Sequence, residues 1–179
     1  MKEINFDVDL TTGELYRFSM RHTYFSASGV VGLFISLGSW VLVAMRYRVL
    51  DRTAIIALII TGFLFTVVQP IMLYSKAKAQ KKRNEDINAA LHYRLDETGI
   101  SVSQGEQEAA IKWYEIRKRV KTGSAMYLYM SSVRAFIFPK AQLGENYESA
   151  CAMVEKYMKE YKDYDPAQED EQDEQGDND

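Results

Sequence analysis

The chain has 179 residues, a net charge of −3 and one cysteine, Cys151. One cysteine excludes an internal disulfide framework and a Cys-rich metal site, and we expect its side chain to be a small buried hydrophobe. The net acidic charge argues against a nucleic-acid-binding protein.

The predicted elements begin with a short strand near the N terminus. Its apolar side chains alternate with polar ones in the period-two pattern of a half-buried strand, and they are Ile4, Phe6, Val8 and Leu10. Thr11 or Thr12 can then cap a helix that continues through Glu14 into the first apolar run. Residues 1–23 are therefore interpreted as an N-terminal strand and helix.

Two apolar runs follow, over residues 24–45 and 53–74, and neither contains a charged side chain. Each is about long enough to cross a ~30 Å hydrocarbon core as a helix. The first run is too long, and lies too far from the N terminus, for a cleaved signal peptide. Because the joining residues 46–52 are too few to form a domain, the sequence predicts a two-helix transmembrane hairpin.

Small side chains recur at four-residue intervals in both runs. In the first run they are Ser28, Gly32 and Ser36, and in the second run they are Thr53, Ala57 and Thr61. Stripes of this kind let helix backbones approach closely inside a membrane. We expect the two stripes to face each other, and a homodimer contact through one of them is the alternative.

The runs lack the side chains that ion or proton paths require. No Asp, Glu, Lys, Arg or His lies within either run, and Gln69 is the strongly polar residue near an end. A channel or transporter is therefore disfavoured. Pro70, in the last turns of the second run, predicts a kink.

Basic residues near the ends of the runs predict the topology. Three arginines lie in the joining loop, whereas seven basic residues lie on the other side, namely Arg17, Arg21, Lys76, Lys78, Lys81, Lys82 and Arg83. By the positive-inside rule, both termini are expected in the cytoplasm of a bacterial inner membrane, which the chain crosses as a multi-pass protein. Residues 75–90 are expected to continue the second helix as a basic stalk.

A β-rich domain is predicted over residues 91–162. Alternating patterns and turn residues indicate six short strands, at 91–95, 100–102, 110–113, 116–122, 125–130 and 133–138. An amphipathic helix capped by Asn146 follows, with Cys151 in its apolar stripe. Six antiparallel strands closed by a C-terminal helix, with the N-terminal strand as a seventh, is the plan of a pleckstrin-homology-like domain. The expected fold class is thus an α+β membrane protein.

The last residues, 163–179, form a strongly acidic tail. They include nine acidic side chains and no Lys or Arg, so removing nine negative charges from a net −3 leaves +6 on residues 1–162. Such a composition predicts disorder. The tail is interpreted as a solubility segment, with a specific docking peptide as the alternative.

Residues that could carry catalysis or bind a cofactor are not found. His22 and His92 are far apart and have no Asp or Cys at metal-ligand spacing, and phosphate-loop and nucleophile motifs are absent from the sequence. We therefore expect no enzyme, no cofactor and no metal.

One basic strip is the best candidate for a binding surface. Period two in the strand puts Arg117, Arg119 and Lys121 on one face. With the basic residues of the stalk, Lys76, Lys78, Lys81, Lys82 and Arg83, they are expected to contact anionic lipid. The alternative is an ordinary solvated sheet face.

The order of elements and three short motifs resemble the YcxB-like family of small bacterial membrane proteins. The motifs are DETGI over 96–100, IKW over 111–113 and FIFPK over 136–140. The resemblance implies the fold and a membrane location, and it implies no catalytic residue. We expect a membrane-tethered binding or regulatory module whose protein partner the sequence leaves open, with a structural subunit of a larger membrane complex as the alternative.

Overall fold

A computed structural model of the chain describes residues 3–86, 90–132 and 134–161. The chain divides into two compact units, one of Leu10–Asn88 and the other of Met1–Asp9 with Ala89–Asp179. The N-terminal strand is therefore part of the same unit as the C-terminal strands, although the helices separate them in sequence. The acidic tail over 163–179 lies outside the described residues.

The first unit is helical. Its elements are α1 (Thr12–Tyr24), α2 (Ala27–Arg46), α3 (Arg52–Phe63), a π-helical segment (Leu64–Val68) and α4 (Gln69–Asp86). Thr11 caps α1, as predicted, because its Oγ1 accepts a hydrogen bond from the Glu14 amide at 3.2 Å. The Glu14 carboxylate accepts one in return from the Thr11 amide at 2.8 Å, which completes a capping box.

The first apolar helix begins later than the sequence indicated. We expected α1 to continue into it, but the helix breaks at Phe25 and Ser26, and α2 starts at Ala27. The cause is a second cap, since the Ser26 Oγ accepts a hydrogen bond from the Gly29 amide at 3.0 Å. By length and composition, Ala27–Arg46 and the continuous helix Arg52–Arg83 are able to cross a membrane.

A π-helical segment interrupts the second apolar helix immediately before Pro70. Within it, the Gln69 amide donates to the carbonyl of Leu64, five residues earlier. The disturbance predicted at Pro70 thus takes the form of a π-helical turn rather than a break. The helix continues to Asp86, so the predicted stalk is helical that far, and residues 87–89 lie outside the described part of the chain.

The second unit is built from two antiparallel sheets. The four-stranded sheet has the order β1 (Ile4–Val8), β2 (Leu91–Leu95), β3 (Gly99–Gln104) and β4 (Gln107–Lys112). The three-stranded sheet has the order β5 (Lys118–Lys121), β6 (Ala125–Tyr129) and β7 (Ala135–Pro139). The antiparallel pairing that the sequence predicted is confirmed, and β1 is the seventh strand among the described residues.

Strand boundaries differ from the prediction at two turns. The third predicted strand, 110–113, starts earlier because Gly105, with φ of 59°, allows a tight hairpin in which Gln104 pairs with Gln107. It also ends earlier, since Trp113–Glu115 form a 3₁₀ turn before β5. The sequence therefore predicted the number of these strands correctly, whereas their boundaries differ by a few residues.

Two helices complete the β-rich unit, α5 (Lys140–Leu143) and α6 (Asn146–Glu160). The predicted apolar stripe of α6 is buried, including Cys151, which confirms that this thiol is a core side chain. Asn146 is not the cap that we predicted. It is the first residue of α6, whose entry is held by a main-chain turn in which the Tyr147 amide donates to the Gly144 carbonyl at 3.2 Å.

Candidate functional site

The basic strip on β5 faces helix α6. The Arg119 Nη1 lies 3.2 Å from the Glu155 Oε2 and 3.5 Å from the main-chain oxygen of Cys151. The Lys121 Nζ lies 3.0 Å from the Glu148 Oε2. Arg119 and Lys121 thus lie on one face of the strand, as the alternating pattern predicted. Both form ion pairs with α6, within the same unit.

The ion pairs stabilise the charged forms of their members. The hydrogen bond with Glu148 raises the pKa of Lys121. The hydrogen bonds from Lys159 and then Arg119 lower the pKa of Glu155. An anionic lipid at the strip would have to compete with these carboxylates.

Arg117, the third member of the strip, is exposed just before β5. Its amide donates to the Tyr129 carbonyl at 2.8 Å, which extends the pairing of β5 with β6 by one residue. Its neighbours Arg119 and Lys121 are held by α6, so the structure does not present the three side chains as one uncompensated cluster.

The basic stalk residues lie on α4, in the helical unit. Lys76, Lys78, Lys82 and Arg83 are exposed and Lys81 is half-buried. Helix α4 packs on α1, with Leu73 and Ala77 buried and the rings of Tyr16 and Tyr74 edge to face at 5.8 Å. This packing places Arg17 of α1 near the start of the stalk, a relationship that the sequence analysis missed because it counted Arg17 only for topology.

Two of the six predicted small residues lie between the apolar helices. Gly32 faces the ring of Phe65, and a Cβ at this position would clash with that ring. Ser36 is buried, and its Oγ donates to the carbonyl of Gly62 at 2.5 Å. These contacts bring α2 close to the second apolar helix.

The other four small residues have different surroundings. Ser28, Thr53 and Ala57 are exposed, and the Thr61 Oγ1 donates to the Ala57 carbonyl of its own helix at 2.9 Å. The pairing of the two complete stripes therefore stays a prediction. Gly62, one residue beyond Thr61 and so about 100° around the helix, is the position that faces α2.

The two histidines take part in ordinary side-chain contacts. His22 stacks on Phe18 with ring centroids 5.9 Å apart, and His92 pairs with Asp7 on the exposed face of the four-stranded sheet. A depression of about 350 Å³ lies on that face. Within the described residues, no group of three or more His, Cys, Asp or Glu side chains is arranged to hold a metal ion.

Two of the three motifs that resemble YcxB-like proteins, at 96–100 and 111–113, contact each other in the β-rich unit. The Asp96 carboxylate accepts hydrogen bonds from the Thr98 amide at 2.8 Å and from the Gly99 amide at 3.2 Å. The Trp113 Nε1 donates to the main-chain oxygen of Asp96 at 2.9 Å, and its ring stacks on Tyr157 at 5.3 Å. The buried side chain of Trp113 thus connects the turn at Asp96 with helix α6.

The turn also affects the ionisation of Asp96. Partial burial raises the pKa of this carboxyl, but hydrogen bonds from Thr98 and Gly99 and the nearby Arg94 charge outweigh burial. The net result is a pKa below the ordinary value. This motif therefore stabilises the fold and gives no sign of a reactive group.

Comparison with known families gives one match, to a family model described as YcxB-like protein, over residues 95–149. The matched range runs from the end of β2 into the first turn of α6 and contains all three motifs. No curated protein and no solved structure matches the chain significantly. Residues 95–149 of the β-rich unit are thus similar to YcxB-like proteins, a family of unknown function.

Proposed function

We propose that the protein is a non-catalytic binding or regulatory module anchored in a bacterial inner membrane by its two apolar helices. The observation that carries this proposal is the exposure of large apolar side chains along both helices. Phe34 is 72% exposed, Ile35 57% and Ile60 58%. A continuous apolar surface of this kind is unstable in water and is matched by a hydrocarbon environment.

The β-rich unit supplies the binding module in this proposal. A four-stranded and a three-stranded antiparallel sheet with a C-terminal helix support a pleckstrin-homology-like arrangement. The excess of basic residues beside α1 and α4, relative to the loop between α2 and α3, supports a topology with both termini in the cytoplasm.

Extraction of membranes tests the anchoring directly. Membranes from cells that make the full chain are washed with alkaline carbonate and with urea, and the chain is followed in pellet and supernatant. We expect it to stay in the pellet until detergent is added. A reporter that is active only in the periplasm, fused after Asp179, is expected to be inactive, and the same reporter inserted between Arg48 and Val49 is expected to be active.

A structural subunit of a larger membrane complex is the second candidate function. It is favoured by the exposed small residues Thr53 and Ala57, which lie about one turn apart on α3. Small exposed residues allow close approach of another helix. Purification in mild detergent separates the two functions, because a stoichiometric integral partner or a second copy supports the subunit and a soluble partner supports the module.

A further inference from the structure

We propose that α1 and the middle of α4 form a binding surface for the headgroups of anionic phospholipids. The inference rests on the proposed membrane anchoring and adds to it a specific lipid class and a specific place. The surface is defined by Arg17 and Arg21 of α1 and by Lys76 and Lys78 of α4, and it does not include the β5 strip.

Ring contacts show that α1 and α4 run in opposite directions side by side. Tyr16 contacts Tyr74, and Tyr24 contacts Phe65 at 6.3 Å between ring centroids. Moving toward the C terminus on α1 thus corresponds to moving toward the N terminus of the second apolar helix. Leu15 of α1 and Leu73 of α4, each one residue before its tyrosine, are both buried.

The alignment puts cations of both helices within one helical turn of each other. Arg17 follows Tyr16 by one residue and Lys76 follows Tyr74 by two, which correspond to offsets of about 1.5 and 3 Å along their helices. Because the helices run in opposite directions from the contact between the two tyrosine rings, these offsets add, and Arg17 and Lys76 differ in height by about 4.5 Å, less than the 5.4 Å pitch of one turn. Both side chains are exposed.

The same level is where the apolar surface of the second helix ends. Tyr74 is 53% exposed and is the last residue before the basic stalk, whereas Ile71 and Met72 just before it are exposed apolar residues. Tyrosines are enriched where the hydrocarbon core meets the headgroups. Arg17 and Lys76 are thus placed at the height of lipid phosphates.

Arg21 lies one turn closer to the apolar region. Its guanidinium carbon is 5.1 Å from the centroid of the Phe25 ring, and Phe25 is 76% exposed. An arginine over an exposed ring can bury its stem in the apolar layer and direct its charge to the headgroups. This arrangement fits lipid better than water or a polar protein surface.

Acidic side chains of the described α1 do not neutralise the surface. Glu14 is the acidic residue of this helix, and its carboxylate is engaged by the Thr11 amide and hydroxyl at 2.8 and 2.9 Å. On the α4 side, residues 69–83 contain no Asp or Glu. By contrast, Arg119 and Lys121 of the β5 strip pair with carboxylates of α6. Charge complementarity therefore favours an anionic headgroup.

Lipid titration of the full chain in neutral detergent micelles tests the proposal. The probes are phosphatidylglycerol and phosphatidylcholine, and the measurement is competition with a fluorescent phosphatidylglycerol at low salt. For the wild type we expect tighter binding of phosphatidylglycerol. The Arg17→Gln/Lys76→Gln variant should weaken it by about fivefold for each charge removed.

The matched control is Arg46→Gln/Arg48→Gln, which removes the same charge at the opposite ends of the helices. This control variant should bind phosphatidylglycerol more tightly than phosphatidylcholine, as the wild type does. Equal weakening in both double variants, or no weakening in either, overturns the proposed surface. The charge-preserving variant Arg17→Lys/Lys76→Arg should bind phosphatidylglycerol as the wild type does. A melting curve in phosphatidylcholine alone verifies that each variant is folded.

The outcome is separable from that of the anchoring experiment. A chain that resists carbonate extraction but shows no phosphatidylglycerol preference overturns the lipid surface and leaves the membrane anchor intact. A chain that carbonate releases overturns both.

Discussion

The hydroxyl of Tyr24 donates a hydrogen bond to the main-chain oxygen of Phe65. In the π-helical segment, the Gln69 amide bonds to Leu64, so it does not reach Phe65. The next residue is Pro70, which has no N–H to donate. The Phe65 carbonyl is thus left without a main-chain donor, and Tyr24, from the end of α1, supplies the missing one.

Tyr24→Phe is expected to destabilise the helical unit, because it removes the donor and leaves the Phe65 carbonyl unsatisfied. The loss should be about 1–3 kcal/mol, and a thermal or denaturant melt of the full chain in detergent measures it. Pro70→Ala restores an amide five residues after Phe65. In that background, Tyr24→Phe should cost clearly less, and an equal cost in both backgrounds would contradict the relationship.

Gly32→Leu is expected to destabilise the contact between α2 and the second apolar helix, because any side chain at this position meets the Phe65 ring. Overpacking of this kind costs about 1–3 kcal/mol. Gly38→Leu is the matched control, since a Cβ there has no neighbour within 4 Å. The melting temperature in detergent should fall for Gly32→Leu and change little for Gly38→Leu. Equal melting temperatures of the two variants would show that Gly32 does not pack closely on Phe65.

Sequence periodicity predicted the elements well because each depends on local pattern. Thr11 caps helix α1, and the burial of β1 alternates as expected. Which face of a helix meets another could not be obtained in the same way. Small residues lie on more than one face of α3, and the bond from Ser36 to Gly62 shows a face that meets α2.

The basic strip on β5 likewise shows what a sequence pattern cannot predict about contacts between elements. Sequence reasoning put Arg117, Arg119 and Lys121 on one face, and it had no means of knowing that α6 carries Glu148 and Glu155 opposite two of them. Conversely, Arg17 and Lys76 are 59 positions apart in sequence and come together only through the packing of α1 on α4. Charge clusters within one strand are visible in a sequence, whereas their compensation by another element is not.

Trp113→Phe is expected to destabilise the β-rich unit, because the substitution removes the indole donor to the Asp96 carbonyl and reduces stacking on Tyr157. We expect a loss of about 1–3 kcal/mol, measured by denaturant unfolding of the full chain in detergent. Tyr93→Phe, which keeps a buried aromatic ring packed on Phe138, is the control and should have a smaller effect. A larger effect for Tyr93→Phe would contradict the role of Trp113.

Acid should weaken the β-rich unit partly through Asp96. The pKa of this carboxyl is lower in the folded chain than in the unfolded chain, so its stabilisation is present above the unfolded value of about 3.9. The stabilisation is lost as the pH falls through the folded pKa. Asp96→Asn should therefore unfold more easily at pH 7 and show a smaller additional loss between pH 5 and 3. A parallel pH dependence of the two proteins would exclude this contribution.

Removal of the acidic tail should strengthen binding of phosphatidylglycerol by the full chain. Deleting residues 163–179 removes nine negative charges and changes the net charge from −3 to +6, so repulsion of anionic headgroups falls. Added salt should reduce the difference, because exposed charges are screened beyond about 8–10 Å at physiological ionic strength. The gain should also shrink in Arg17→Gln/Lys76→Gln, which lacks two cations of the proposed surface. The same lipid competition measures all three effects. If the intact and shortened chains bind phosphatidylglycerol equally at low salt, or if their difference persists at high salt, the tail does not act on lipid binding through its charge.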